Sequence, residues 1–124
     1  MANAPEKFSY PISDSIREMA MALPDTTEGT SCVNRAFKAG GKNFAFLGEK
    51  PEGCGLRLKL SDSVPEIEKR SERQPDRYEV GKGGWVMLRF PADAAPDNAD
   101  LESWIVESFC LLAPKKTSAK LENR

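Results

Sequence analysis

The sequence predicts an α+β domain in two layers: a mostly antiparallel five-stranded sheet with helices on one face. Three observations carry this expectation. Gly40-Gly41 separates two short runs, the pattern of a two-residue hairpin. Leu56, Leu58 and Leu60 alternate with Arg57 and Lys59, and Val86, Leu88 and Phe90 alternate with Met87 and Arg89, so each stretch reads as a strand with one apolar face. Leu101, Trp104, Ile105, Ser108, Leu111 and Leu112 recur at helical spacing, with Phe109 broadening the stripe. The expected order is α-β-β-β-α-β-β-α, with short links or single helices between neighbouring strands.

Taken in order, residues 1–12 read as a flexible N-terminal lead-in, 13–116 as the domain and 117–124 as a C-terminal tail. Ser13–Leu23 carries Ile16, Met19, Ala20 and Leu23 at helical spacing, with Ser15 and Glu18 as a candidate capping box and Pro24 as the stop. Asp25–Cys32 is polar and reads as a loop. In the hairpin, a two-residue turn sets Ala39 against Lys42, Phe37 against Phe44 and Arg35 against Phe46. Side-chain alternation then gives Phe37, Phe44 and Phe46 one buried face, and Ala36, Lys38, Asn43 and Ala45 the other.

Glu49–Gly53 is a turn cluster before the Leu56–Leu60 strand. Ser63, Pro65 and Glu66 open a short charged helix anchored by Val64 and Ile67, and Pro75 ends it. Arg77–Val80 is a short strand, Gly81–Gly84 a flexible loop and Trp85–Phe90 the last strand. Asp97 or Asn98 caps the final helix, Pro114 stops it, and Lys115, Lys116 and Lys120 lie in a basic tail.

Composition excludes several functions. The net charge of −1 gives no overall attraction to polyanions. The three cysteines, Cys32, Cys54 and Cys110, are scattered without a C-x-x-C spacing, so no metal and no redox pair is expected. The first ten residues lack the apolar segment of a signal peptide, and no run approaches membrane-spanning length, which points to a cytoplasmic protein with no membrane partner. Histidine is absent, so the commonest general base is missing. No catalytic residue and no cofactor is expected, and the chain reads as a binding protein rather than an enzyme. Asp25 and Glu28 read as solvated loop charges, and Cys32 as an unreactive thiol.

Several motifs together resemble the MmcQ/YjbR family: the Ala22–Pro24 stop, the Phe37-Lys-Ala-Gly-Gly-Lys-Asn-Phe44 hairpin, the Trp85 strand and the helix end at Ala113-Pro-Lys-Lys116. The resemblance spans Ser13 to Lys116. It implies a compact α+β fold likened to the double-wing DNA-binding domain of the phage transcription factor MotA, and with it a DNA-binding role. Many relatives carry a histidine just before the tryptophan, where this chain has Gly84.

The sheet face away from the helices is where such a role would sit. Its expected residues are Ala36, Lys38, Asn43, Ala45, Arg57, Lys59, Trp85, Met87 and Arg89, four of them basic and none acidic. Lys42 and Lys82, on the two glycine-rich loops, extend it as wings. The candidate nucleic-acid site is therefore Lys38, Lys42, Arg57, Lys59, Lys82, Trp85 and Arg89: cations for phosphates, and Trp85 to stack on a base. Two other readings of the same residues stand beside it. Lysine and arginine keep an exposed sheet soluble, and Trp85 with Met87 suits a protein or chaperone-like partner. The chain is expected to be a monomer or weak homodimer.

Overall fold

A computed structural model of the chain, describing residues 10–31, 34–95 and 99–122, contains α1 (Pro11–Met21), β1 (Thr26–Ser31), β2 (Asn34–Ala39), β3 (Lys42–Lys50), β4 (Gly53–Lys59), α2 (Val64–Arg73), β5 (Tyr78–Val80), β6 (Trp85–Pro91), α3 (Ala99–Leu112) and α4 (Lys115–Glu122). The strands form one antiparallel sheet in the order β1-β2-β3-β4-β6-β5. The α+β class and the antiparallel sheet agree with the sequence. The strand count does not: there are six strands, because Thr26–Ser31, read as loop, pairs along β2 as an edge strand. The last residues also differ, since Lys115–Glu122 is helical rather than a tail. The expectations for residues 1–9, for Cys32 and for an Asp97 or Asn98 cap lie outside the described residues.

The β2–β3 turn forms as the glycines predict, with φ of 58° at Gly40 and 87° at Gly41. Ala39 faces Lys42 and Lys38 faces Asn43, but the register then shifts. Phe37 meets Ala45, Ala36 meets Phe46 and Arg35 meets Leu47. A β-bulge at Phe44 and Ala45 places both of these side chains in the core, fully buried. The bulge is held from outside the sheet. Ser108 Oγ on α3 donates to the Phe44 carbonyl at 2.6 Å and accepts from the Lys59 N–H at 3.0 Å.

Helices α1 and α3 cover one face of the sheet. Ile12, Ile16 and Ala20 of α1 and Leu101, Ile105 and Phe109 of α3 are buried with Phe37, Leu47, Leu56, Leu58, Val86 and Leu88. Phe109 meets Phe44 edge to face, with ring centroids 5.4 Å apart. The first helix starts two residues earlier than its sequence implies. Tyr10 precedes it, the Tyr10 N–H donates to Ser13 Oγ at 2.9 Å, and Pro11 takes the first helical position.

Helix α2 is pinned from two sides. Arg70 donates to Glu66 at 2.8 Å, Asp100 at 3.0 Å and Tyr78 Oη at 3.3 Å, and its guanidinium lies 5.0 Å from the Trp104 ring centroid. Glu66 is thus engaged by Arg70 rather than by the helix start. Ser63 holds the N-cap position, yet its hydroxyl donates to Glu107 of α3 at 2.6 Å instead of capping α2.

Candidate functional site

The other face of the sheet carries no described helix; α1 and α3 both pack on the covered side. Register assigns its residues. Ala36 sits against Phe46, Phe46 against Arg57, Arg57 against Met87 and Met87 against Glu79. One row toward the turns, Lys38 pairs with Asn43 and Lys59 with Trp85. One row the other way, Gly48 pairs with Gly55 and Gly55 with Arg89.

Of the seven residues singled out by sequence, Lys38, Arg57, Lys59, Trp85 and Arg89 share this face. Lys38, Arg57 and Arg89 are exposed, and Lys59 and Trp85 half-buried. Lys42 and Lys82 are exposed in the two glycine-bearing turns, and both turns lie at the Trp85 end of the sheet.

Three expectations about this face are corrected. Phe46 belongs to it and Ala45 does not, because the bulge reverses alternation after Phe44. Phe46 lies half-buried beside Trp85, ring centroids 6.0 Å apart and planes tilted by 49°. The signal was present in Phe44-Ala-Phe-Leu47, where apolar residues occupy both alternation phases. The face is also not free of acid, since Glu79 pairs with Arg89 at 2.8 Å. Arg35 opposes Leu47, not Phe46, and joins the covered side at the sheet edge, where Glu28 binds both Arg17 at 2.7 Å and Arg35 at 3.3 Å. Arg35 Nε also lies 3.2 Å from Glu49 Oε1, an ion-pair contact in which that oxygen receives no aligned hydrogen bond.

Asp25 and Glu28, read from the sequence as solvated loop charges, are each held by a cation: Asp25 by Lys120 at 2.7 Å, and Glu28, on β1, by Arg17 at 2.7 Å. Burial first, and Glu49 second, push the Cys54 thiol up to about 12, so it stays protonated and unreactive at neutral pH. Among the described residues no group of three or more histidine, cysteine or acidic side chains is placed to hold a metal, and no helix is long and apolar enough to cross a membrane.

Gly84, next to Trp85, has φ of 85°, and a β-carbon there would stand 2.3 Å from the Leu60 carbonyl oxygen. The turn has room for glycine alone.

The sequence matches the YjbR family over residues 21–111. The chain belongs to the YjbR family. The match runs from the end of α1 to the last turn of α3, so the sheet and its open face lie within it. No match is found among curated proteins. Among solved structures, the Deinococcus radiodurans protein DR2400, which carries a DUF419 domain, superposes with a TM-score of 0.65 at 21% identity over 90% of each chain. At that identity the likeness is one of fold.

Proposed function

We propose that this YjbR-family protein is a cytoplasmic DNA-binding protein that uses the open sheet face, with unpaired or locally opened strands as its preferred form. One observation carries the reading: the half-exposed Phe46–Trp85 pair sits among Lys38, Arg57 and Lys59, none of which has a carboxylate partner among the described residues. Aromatic rings on an exposed sheet stack on bases, and flanking cations take the phosphates. Lys42 and Lys82 on the two turns extend the cationic surface as wings. The role is binding, with no chemistry of its own.

A titration against single-stranded and duplex DNA at several salt concentrations tests the proposal. Arg57→Gln with Lys59→Gln is expected to weaken binding of every sequence by a similar factor and to flatten the salt slope. Trp85 fluorescence should be quenched on binding. Absence of binding at low salt ends the proposal.

A protein partner is the second reading, favoured by Met87 sharing the open face with Phe46 and Trp85, with Arg57 opposite it and Arg89 two residues on. A dimer in light scattering, with shielded Trp85 fluorescence and no DNA affinity, selects it.

A further inference from the structure

The open face continues past Met87 to a place where the sheet is bare. Gly48 and Gly55 lie side by side there, and a cavity of about 480 Å³ opens over them. Phe46 and Met87 supply apolar walls, Arg57 and Arg89 also line it, and Asn34 leans over Gly48 from β2. Neither glycine is required by its own backbone. The positive-φ glycines of the chain are Gly40, Gly41, Gly53, Gly83 and Gly84, so Gly48 and Gly55 sit in conformations any residue adopts. Glycine weakens a strand interior, and its recurring use there is to let another group approach the backbone. A β-carbon on Gly55 would stand 3.3 Å from Met87 Sδ and intrude on the cavity floor, while the place of a Gly48 β-carbon is already taken by the Asn34 amide, whose Oδ1 would lie 2.5 Å from it.

A second cleft, of about 530 Å³, adjoins the first. The two share Glu52, Arg89 and Phe90, and the second adds Arg73 from the end of α2 and Arg77 from the turn just before β5. Among the described residues Arg57, Arg73 and Arg77 pair with no carboxylate. Arg89 is held by Glu79 through one nitrogen in an exposed pair, which is weak enough to exchange for a phosphate. Glu52 and Asp76 are the opposing acids, and the arginines outnumber them.

We propose that the glycine-floored cavity seats one unstacked nucleobase and that the arginine-lined cleft beside it takes the flanking phosphates. The inference rests on the DNA-binding reading of the open face and names the part of the ligand bound at its far end. A flat ring suits a bare sheet floor between a phenylalanine and a methionine. The Asn34 amide can meet a base edge with both a donor and an acceptor. A ring flanked by anions is what a nucleotide presents. From Trp85 to Arg89 the strand advances about 13 Å, so a stretch of about four stacked nucleotides reaches from the aromatic pair to the cavity.

Fluorescence anisotropy with the full chain tests it. Two single-stranded probes of about twelve nucleotides are compared, one with bases and one an abasic backbone of equal length. Gly55→Val is expected to weaken the base-bearing probe about tenfold and leave the abasic probe unchanged. Arg73→Gln with Arg77→Gln should weaken both. Wild-type affinity of Gly55→Val for the base-bearing probe overturns the base seat while leaving the open-face reading intact. Failure of the wild-type protein to bind either probe overturns both. Circular dichroism checks folding; if the valine variant does not fold, Gly55→Ala must show the same selective loss, smaller in size, or the proposal falls.

Discussion

Ser108 shows how one side chain sets the composition of a distant surface. By spacing it belongs to the apolar stripe of α3, and it is fully buried. Its hydroxyl joins the Phe44 carbonyl and the Lys59 N–H, two ladder groups that the bulge would otherwise leave without partners. Ser108→Ala should therefore cost about 2 kcal/mol in urea denaturation, the penalty of unsatisfied buried backbone groups. The same variant should change Trp85 fluorescence, because the bulge is what turns Phe46 outward beside it. Gly84 acts as locally. Its positive φ and the 2.3 Å approach to Leu60 O leave no place for a side chain, so Gly84→Ala should lower stability by about 2 kcal/mol or more.

At the scale of elements, α2 and α3 are joined by a carboxylate. Glu107 accepts from Ser61 N–H at 2.7 Å, Ser63 N–H at 3.2 Å and the Ser63 hydroxyl at 2.6 Å. Burial alone would raise its carboxyl; the Ser63 hydroxyl and the N–H groups of Ser61, Ser63 and Asp62 outweigh it and hold the group below its ordinary value. A carboxyl depressed in the fold contributes stability above its unfolded value, about 4.3, and that contribution is lost as pH falls through the lower folded value. Glu107→Gln should thus cost about 1 to 2 kcal/mol at pH 7, and the gap to wild type should narrow progressively as pH falls below about 4.3. Denaturation curves of the two proteins across that acid range check this.

The hairpin glycines, the alternating leucines and the α3 stripe were legible because apolar period and turn chemistry agree there. Strand β1 was not. Thr26, Glu28 and Thr30 occupy its covered side, and the space beneath them is filled by the Arg17–Glu28–Arg35 ion pairs instead of a hydrophobic layer. Helix α4 was missed for a similar reason: Thr117 is its buried contact, against the Gly40 turn, with only Leu121 as a half-buried apolar partner. The site was legible in its cations, which alternate cleanly along β4 and β6. Phe46 was hidden by the bulge, Glu79 by the shortness of β5, and the Gly48–Gly55 floor by the register between β3 and β4.

For the whole molecule, the decisive property is where charge sits, since 18 basic and 19 acidic residues almost cancel. A protein with net charge −1 is not drawn to DNA at long range, and binding must come from a surface whose cations lack local acids. The fold produces such a surface by placing paired charges on the covered side and in the helices, as with Arg17, Arg35 and Arg70. Placement and total charge can be separated experimentally. Arg57→Gln with Lys59→Gln removes two positive charges from the open face; Arg17→Gln with Lys69→Gln removes two from α1 and α2. Both double variants have the same net charge. If the open face grips phosphates, the first should lower the magnitude of the log–log salt slope for single-stranded DNA by about 1.4, and the second should leave it unchanged. Equal slopes in the two variants would mean that the attraction is a property of total charge, and that the basic residues on this face serve only to keep it hydrated.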